Sequence, residues 1–243
     1  MKSIKLTLMA DGEIFLPLAH FEILQGIVYN LMSADKALAD EIHNKQPGKE
    51  KQFKFFCFTD LHGKYRFYDG ALMLSAPATW EIRSADDRII DAIEKGLENK
   101  EISVNGQKCR VDSYQISKRK FDSGKVVFEM DTPLIHYVTD RNGFSRYFSP
   151  ADEEFAKGIR DNVIRKYTSF YGKNPEGEVA VLPLRIGARD KCVTRYKKSF
   201  ITGYYGQCMV IAPPEVLEFI YYTGLGGKNS MGFGTVKENI YGK

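Results

Sequence analysis

Gly224-Leu225-Gly226-Gly227-Lys228-Asn229-Ser230-Met231-Gly232-Phe233-Gly234 puts five glycines into eleven residues near the end of a 243-residue chain, and no other stretch constrains the fold as strongly. Glycine reaches positive φ without steric cost and lets backbone N–H groups converge on an anion. Lys228, Asn229 and Ser230 add donors suited to phosphate oxygens. A mononucleotide P-loop needs Gly-x-x-x-x-Gly-Lys-Ser/Thr between a strand and a following helix. Here Asn229 follows Lys228, the glycine spacing is wrong and the pattern runs helix, loop, strand, so that reading is excluded. Two readings remain: an anion-contacting loop, and a close-packed turn between the last helix and the last strand.

The apolar periodicity upstream predicts what that loop joins. Ile4–Leu8 alternates as a strand, and Phe21, Leu24, Ile27, Val28 and Leu31 form one face of a helix. Ser33-Ala34-Asp35 stops that helix and caps a second one ending near His43. Phe53–Thr59 and Lys64–Phe67 read as a hairpin turning near His62-Gly63, with Ala71–Ser75 as a short strand. An amphipathic helix covers Ser84–Leu97, and Glu101–Gln115 turns at Asn105-Gly106. The order strand, helix, strand pair, helix, strand then recurs. Val126–Met130 is its first strand, Pro150–Tyr171 a helix, Val179–Ile186 and Cys192–Ile211 strands turning at Ala188-Arg189-Asp190. Pro213–Tyr222 is the second helix and Phe233–Ile240 the last strand. The predicted fold is α+β, two tandem ferredoxin-like (RRM-like, βαββαβ) domains over residues 1–119 and 120–243.

The formal net charge of +4 is mild, so its distribution carries the argument. Arg185–Lys198 holds six basic residues against Asp190, Lys45–Lys54 holds four lysines against Glu50, and Lys118-Arg119-Lys120 is a third cluster. Each alone reads as a solvated face; three together point to a polyanionic partner. The four cysteines are widely spaced, with no CxxC pair, and read as core residues in a reducing compartment. Charges at Lys2 and Lys5 fit no signal peptide and no apolar run reaches spanning length, so the expected location is cytoplasmic.

The run Gly224–Val236 resembles the glycine-rich motif of the RAMP proteins of CRISPR systems. In particular it resembles the repeat-RNA-processing endoribonucleases, the Cas-six family. Leu24-Gln25-Gly26-Ile27-Val28-Tyr29 is similar to the family's first-helix sequence, and the length and doubled order fit as well. The resemblance implies metal-independent cleavage of precursor CRISPR RNA within its repeats. The 2′-OH attacks the neighbouring phosphate and leaves 2′,3′-cyclic phosphate and 5′-OH ends, with no cofactor and no metal. It implies repeat RNA as partner, both precursor and product. Other Cas proteins of an effector complex fit it too, with the chain as monomer or homodimer and no membrane.

Such cleavage needs a base, an acid and a cation for the phosphorane, for which histidine and lysine are suited. Among the histidines, His20 reads as a cap or surface residue, His62 as a solvent-exposed turn residue and His136 as a satisfied buried one. His43 ends the second helix beside the lysine-rich stretch and is the local candidate. The resemblance adds a Tyr–His–Lys set, matched here by Tyr29, His43 and a lysine: Lys54 by strand-entry position, Lys49 by distance from His43, with Lys51 as a third option. Tyr29 also reads as a core aromatic on the helix face. Fourteen residues on one straight helix span ~21 Å, so the assignment requires a break at Ser33–Asp35. No RNP1 octamer supports base stacking on a sheet face. The resemblance instead assigns RNA binding to Arg189, Lys191, Arg195, Lys197 and Lys198 of the basic hairpin, with Tyr196 interleaved. Gly226, Gly227, Lys228, Asn229 and Ser230 of the glycine-rich loop join them. The rival functions are a non-catalytic RNA-binding RAMP subunit of an effector complex and an unrelated ferredoxin-like interaction module.

Overall fold

The computed structural model describes residues 1–43, 53–99 and 101–239. They divide into two compact units: Met1–Lys118 with Ser230–Gly232, and Arg119–Asn229 with Phe233–Lys243.

In the first unit the fully buried Ile4, Leu6 and Leu8 alternate along β1 (Lys2–Ala10), which β2 (Glu13–Pro17) follows. The helices α1 (Phe21–Met32) and α2 (Lys36–His43) come next, then β3 (Phe56–Phe58), β4 (His62–Tyr68), β5 (Ala71–Ser84), α3 (Asp87–Gly96), β6 (Glu101–Val104) and β7 (Gln107–Ser117). The sheet is antiparallel, ordered β2-β5-β1-β7-β6 with β3 and β4 also on β5. Taking β1, β3/β4, β5 and β7 as strands one to four, this is the 4-1-3-2 order of a ferredoxin-like fold.

The fourteen-residue β5 is the spine of this sheet. β1 pairs with Ala78–Ser84 and β2 with Ala71–Ser75 along one edge. On the other edge β3 pairs with Ile82–Ser84 and β4 with Ala71–Thr79. β3 and β4 therefore do not form the hairpin expected from sequence; they are consecutive pieces along the same edge. The hairpin is β4–β5, turning at Asp69 and Gly70, both at positive φ. β5 also runs well beyond the short strand expected at residues 71–75. Pro77, which reads as a strand breaker, sits where the β4 register shifts between His62 and Lys64, and there the ladder needs no donor from it. The turn at Asn105 and Gly106, both at positive φ, is the one the sequence predicts.

The second unit contains β8 (Lys125–Met130), β9 (Tyr137–Thr139), β10 (Ser145–Tyr147), α4 (Glu153–Tyr171), β11 (Ala180–Arg185), β12 (Lys191–Tyr196), β13 (Ser199–Tyr204), β14 (Gln207–Ile211), α5 (Pro214–Thr223) and β15 (Val236–Glu238). Its sheet, β11-β14-β8-β15, repeats the same order in antiparallel pairing. Gly172 at φ 72° closes α4, and Pro213-Pro214 open α5 where no backbone donor is required. The turn expected at residues 188–190 is present as a short 3₁₀ turn leading into β12. β12 and β13 form a separate hairpin turning at Lys197-Lys198, so the single strand expected over residues 192–211 is corrected to three, β12, β13 and β14. Among the described residues no helix is long and apolar enough to cross a membrane.

The helices of the first unit meet closely. A Cβ on Gly96 of α3 would lie 2.3 Å from the Leu31 carbonyl oxygen of α1. Backbone cannot yield as a side chain does, so Gly96→Ala is expected to destabilise the protein by about 1–3 kcal/mol. A lowered denaturant midpoint with an unchanged slope would register it; an unchanged midpoint would contradict this packing.

Candidate active site and basic hairpin

Helix α1 supplies the first candidate. Its apolar face, with Phe21, Leu24, Ile27, Val28 and Leu31, is buried as expected. Tyr29 is half-buried at the edge of that face. Lys54, two residues before β3, donates from Nζ to the Tyr29 hydroxyl at 2.6 Å, and the ammonium lies 4.9 Å from the ring centroid. Phe56 packs edge-on against the same ring at 6.0 Å. The structure thus joins two residues twenty-five positions apart that the sequence proposes for one site.

The helix break also occurs where it is required. α1 ends at Met32, the Ser33 hydroxyl donates to the Asn30 carbonyl, and Asp35 Oδ1 accepts the Leu38 N–H at 3.0 Å as the cap of α2. His43 is the last residue of α2 by its backbone. Its side chain, and Lys49 and Lys51, lie outside the described residues.

His20 departs from expectation. It occupies the cap position of α1 but makes no capping bond and is only 4% exposed. Its Nε2 meets Asp60 Oδ1 at 2.7 Å and its Nδ1 meets the Pro17 carbonyl at 3.0 Å. Burial opposes the imidazolium. The Asp60 carboxylate and the Pro17 and Leu18 carbonyls outweigh it, so the pKa is raised above its ordinary 6.5. His20 and Asp60 are forty residues apart with no motif between them, so no sequence signal announces the pair. His62 is exposed, at the start of a strand rather than in a turn. His136 is half-buried, stacked on Phe148 at 4.9 Å and lying against Gly158. Burial, with the Arg165 charge, lowers its pKa.

The glycine-rich segment proves to be a packed turn. Lys166 of α4, 1% exposed, donates to the carbonyls of Thr223 and Gly224 and to Asn229 Oδ1 at 3.1, 2.6 and 2.8 Å. The Asn229 amide nitrogen donates to the carbonyls of Leu225 and Phe233. Both ends of the Asn229 amide thus face inward, which corrects its expected role as a phosphate donor. Gly227 N–H is spent on the Ile135 carbonyl, and a Cβ on Gly226 would lie 2.5 Å from that oxygen. The two glycines serve close packing rather than an anion cradle. Lys228 lies over the Tyr137 ring, 4.2 Å from its centroid, and the Ser230 carbonyl accepts from Gln25.

The basic residues Arg189, Lys191, Arg195, Lys197 and Lys198 are all exposed on β12, its turn and the 3₁₀ turn before it. Tyr196, expected among them, is buried, because alternation along β12 turns it away from Arg195. The exposed aromatic is Phe200, 71% accessible and directly opposite Arg195 on β13. In the third basic cluster Arg119 pairs with Glu238 and Lys120 with Glu218, so part of its charge is neutralised internally.

Residues 114–238 match a family model described as CRISPR associated protein Cas6, C-terminal. CRISPR-associated endoribonuclease Cas6 1 of Methanocaldococcus jannaschii is 27% identical over 247 residues, covering 96% of this chain and 91% of that protein. CRISPR-associated endoribonuclease Cas6 of Pyrococcus furiosus is 24% identical over 232 residues, covering 93% and 85%. A solved structure described as a Cas6-related gene from Pyrococcus furiosus overlays with a TM-score of 0.84 at 19% identity, over 98% of both chains. Another, described as an RAMP protein binding different RNA substrates, gives 0.83 at 20% identity over 98% and 100%. At those identities the likeness of structures is one of fold.

Two stability tests follow from this site. Asn229→Ala removes one acceptor from the buried Lys166 ammonium and the donor from two carbonyls, an expected cost of about 2–4 kcal/mol in unfolding free energy; a loss below about 0.5 kcal/mol would contradict the network. His20 binds its proton more tightly folded than unfolded. Its pairing with Asp60 therefore contributes fully below pH 6.5 and fades as the pH rises through the higher folded value. The Tm gap between wild type and His20→Gln should be wider at about pH 5.5 than at about pH 8.5. A gap that is constant or widens with pH would refute the pairing.

Proposed function

Since the matched family model spans more than half of the chain, the chain belongs to the Cas6 family, and from that premise we propose a metal-independent endoribonuclease that cleaves precursor CRISPR RNA within its repeats. Curated relatives aligned along nearly the whole chain are named endoribonucleases, which supports the activity. The observation that carries the site assignment is the hydrogen bond from Lys54 to Tyr29.

In this reading the 2′ oxygen attacks the adjacent phosphorus and gives up its proton to a base. The bond from phosphorus to the 5′ oxygen breaks, and that oxygen takes up a proton. The products are a 2′,3′-cyclic phosphate and a 5′-hydroxyl. His43 serves as base or acid, an assignment that rests on the family resemblance and on its position at the end of α2. Tyr29 positions the reacting group or relays a proton through its hydroxyl. Lys54 orients that hydroxyl, and its ammonium stabilises the charge that builds on the phosphorane. Lys54 is taken as the catalytic lysine on its hydrogen bond to Tyr29; Lys49 and Lys51 lie outside the described residues.

RNA contacts are assigned to Arg189, Lys191, Arg195, Lys197 and Lys198, and secondarily to Lys228. Exposed cations on a projecting hairpin suit a phosphate backbone, and Phe200 beside Arg195 offers a stacking face. Gly226, Gly227 and Asn229 are withdrawn from that role, since Asn229 is used within the loop and the two glycines pack against Ile135. The Ser230 carbonyl is likewise committed to Gln25.

Repeat RNA incubated with the protein in excess EDTA should be cut at one position, leaving a 5′-hydroxyl. His43→Ala should lose about 10²–10⁴-fold in single-turnover rate, with Tyr29→Phe and Lys54→Ala also slowed. Specific binding without cleavage would identify a non-catalytic subunit instead; neither would point to an interaction module. Replacing Lys191, Arg195, Lys197 and Lys198 by alanine should weaken RNA binding and flatten the slope of log affinity against log salt by about 0.7 for each phosphate that the hairpin no longer neutralises. An unchanged slope would place the RNA elsewhere.

A further inference from the structure

We propose that the stretch Ser230–Gly232 is a positioning element for the Tyr29–Lys54 pair, acting through Gln25 and Gly232; the inference rests on the reading of that pair given above. Ser230–Gly232 belong to the compact unit that contains α1 and β3. Gln25 donates from Nε2 to the Ser230 carbonyl at 2.5 Å. Gln25 and Tyr29 are four residues apart on α1, so their side chains share one face, one turn from each other. The Ser230 carbonyl therefore holds α1 one turn before the proposed catalytic tyrosine.

Gly232 provides the second grip. At φ 90°, a Cβ there would lie 2.7 Å from Phe58 Cε2 and 2.9 Å from Phe21 Cδ1. Phe21 opens α1, and Phe58 ends β3, whose first residue, Phe56, packs against the Tyr29 ring. Lys54 lies two residues before Phe56. Absence of a side chain at Gly232 lets the segment seat against both elements that carry the pair. Ser230–Gly232 thus meet both α1 and β3, and the distance between Tyr29 and Lys54 depends on how those two elements are seated.

The test is single-turnover cleavage and equilibrium binding of repeat RNA in excess EDTA, using the full chain. Gln25→Met keeps the length and removes the donor; Gln25→Lys keeps a donor. Gln25→Met should slow cleavage about 10- to 100-fold at saturating RNA, with affinity unchanged, and Gln25→Lys should recover most of the rate. In a Tyr29→Phe background Gln25→Met should cost little more, because the group it positions is gone. Gly232→Ala should follow Gln25→Met wherever circular dichroism shows it folded. An equal loss in both backgrounds, an unchanged rate in Gln25→Met, or weakened affinity at an unchanged saturating rate would each overturn the positioning role. Slowed Tyr29→Phe and Lys54→Ala beside an unimpaired Gln25→Met would overturn this inference alone. Wild-type rates in Tyr29→Phe and Lys54→Ala would place the chemistry elsewhere and overturn both.

Discussion

A lysine ammonium sits almost wholly out of water in the second unit, and the loop after α5 is arranged around it. Lys166 is satisfied by three oxygens, two of them carbonyls at the C-terminal end of α5, where the helix dipole favours a cation. Desolvating an ammonium costs several kcal/mol unless its donors are matched with good geometry. That requirement imposes a shape on the loop after α5: two carbonyls and the Asn229 amide must converge on one point. Gly224, Gly226 and Gly234, all at positive φ, let the backbone follow that path, and an added Cβ at each would strike backbone within 3.0 Å. Part of the glycine content is therefore a consequence of closing a loop tightly around a buried charge.

In the first unit, helix α1 is held by polar ties along its length. Its start is tied to Asp60 through His20, its second turn to Ser230 through Gln25, and its third to Lys54 through Tyr29. These polar ties each involve a residue distant in sequence, and between them the apolar face is buried. A helix held at successive turns has little freedom to rotate about its axis, which suits the positioning role proposed for the Tyr29 hydroxyl. Capture of the substrate backbone is assigned to a different element, the β12–β13 hairpin, whose long cations extend into solvent. Precision and electrostatic capture are different demands, met respectively by packed elements and by an exposed ribbon.

Much of the candidate site was legible in the sequence because its elements obey simple periods. The break at Ser33–Asp35 followed from a cap signal, and the candidacy of Tyr29 and Lys54 from motif position. That Lys54 meets Tyr29 was not legible, because nothing local states whether a lysine turns toward a helix twenty-five residues upstream. The misreading of β3 and β4 as a hairpin has a similar source. Two short strands in succession look alike whether they pair with each other or lie end to end along a third, and only the length of β5 decides. Tyr196 and Phe200 exchanged places because the true turn at Lys197-Lys198 sets the alternation of both strands.

By itself the sequence determined the α+β class, the doubled element order and the position of the glycine-rich segment between helix and strand, and it supplied candidates for proton transfer and phosphate contact. These follow from hydrophobic period, turn chemistry and residue type, all of which act over a few neighbours. Tertiary structure decided the use of each polar group: that Asn229 faces a buried ammonium, that His20 pairs with Asp60, that Lys54 meets Tyr29 and that Gln25 holds Ser230. A buried polar atom takes its partner from whatever the packed fold brings within about 3 Å, and that distance has no counterpart along the chain.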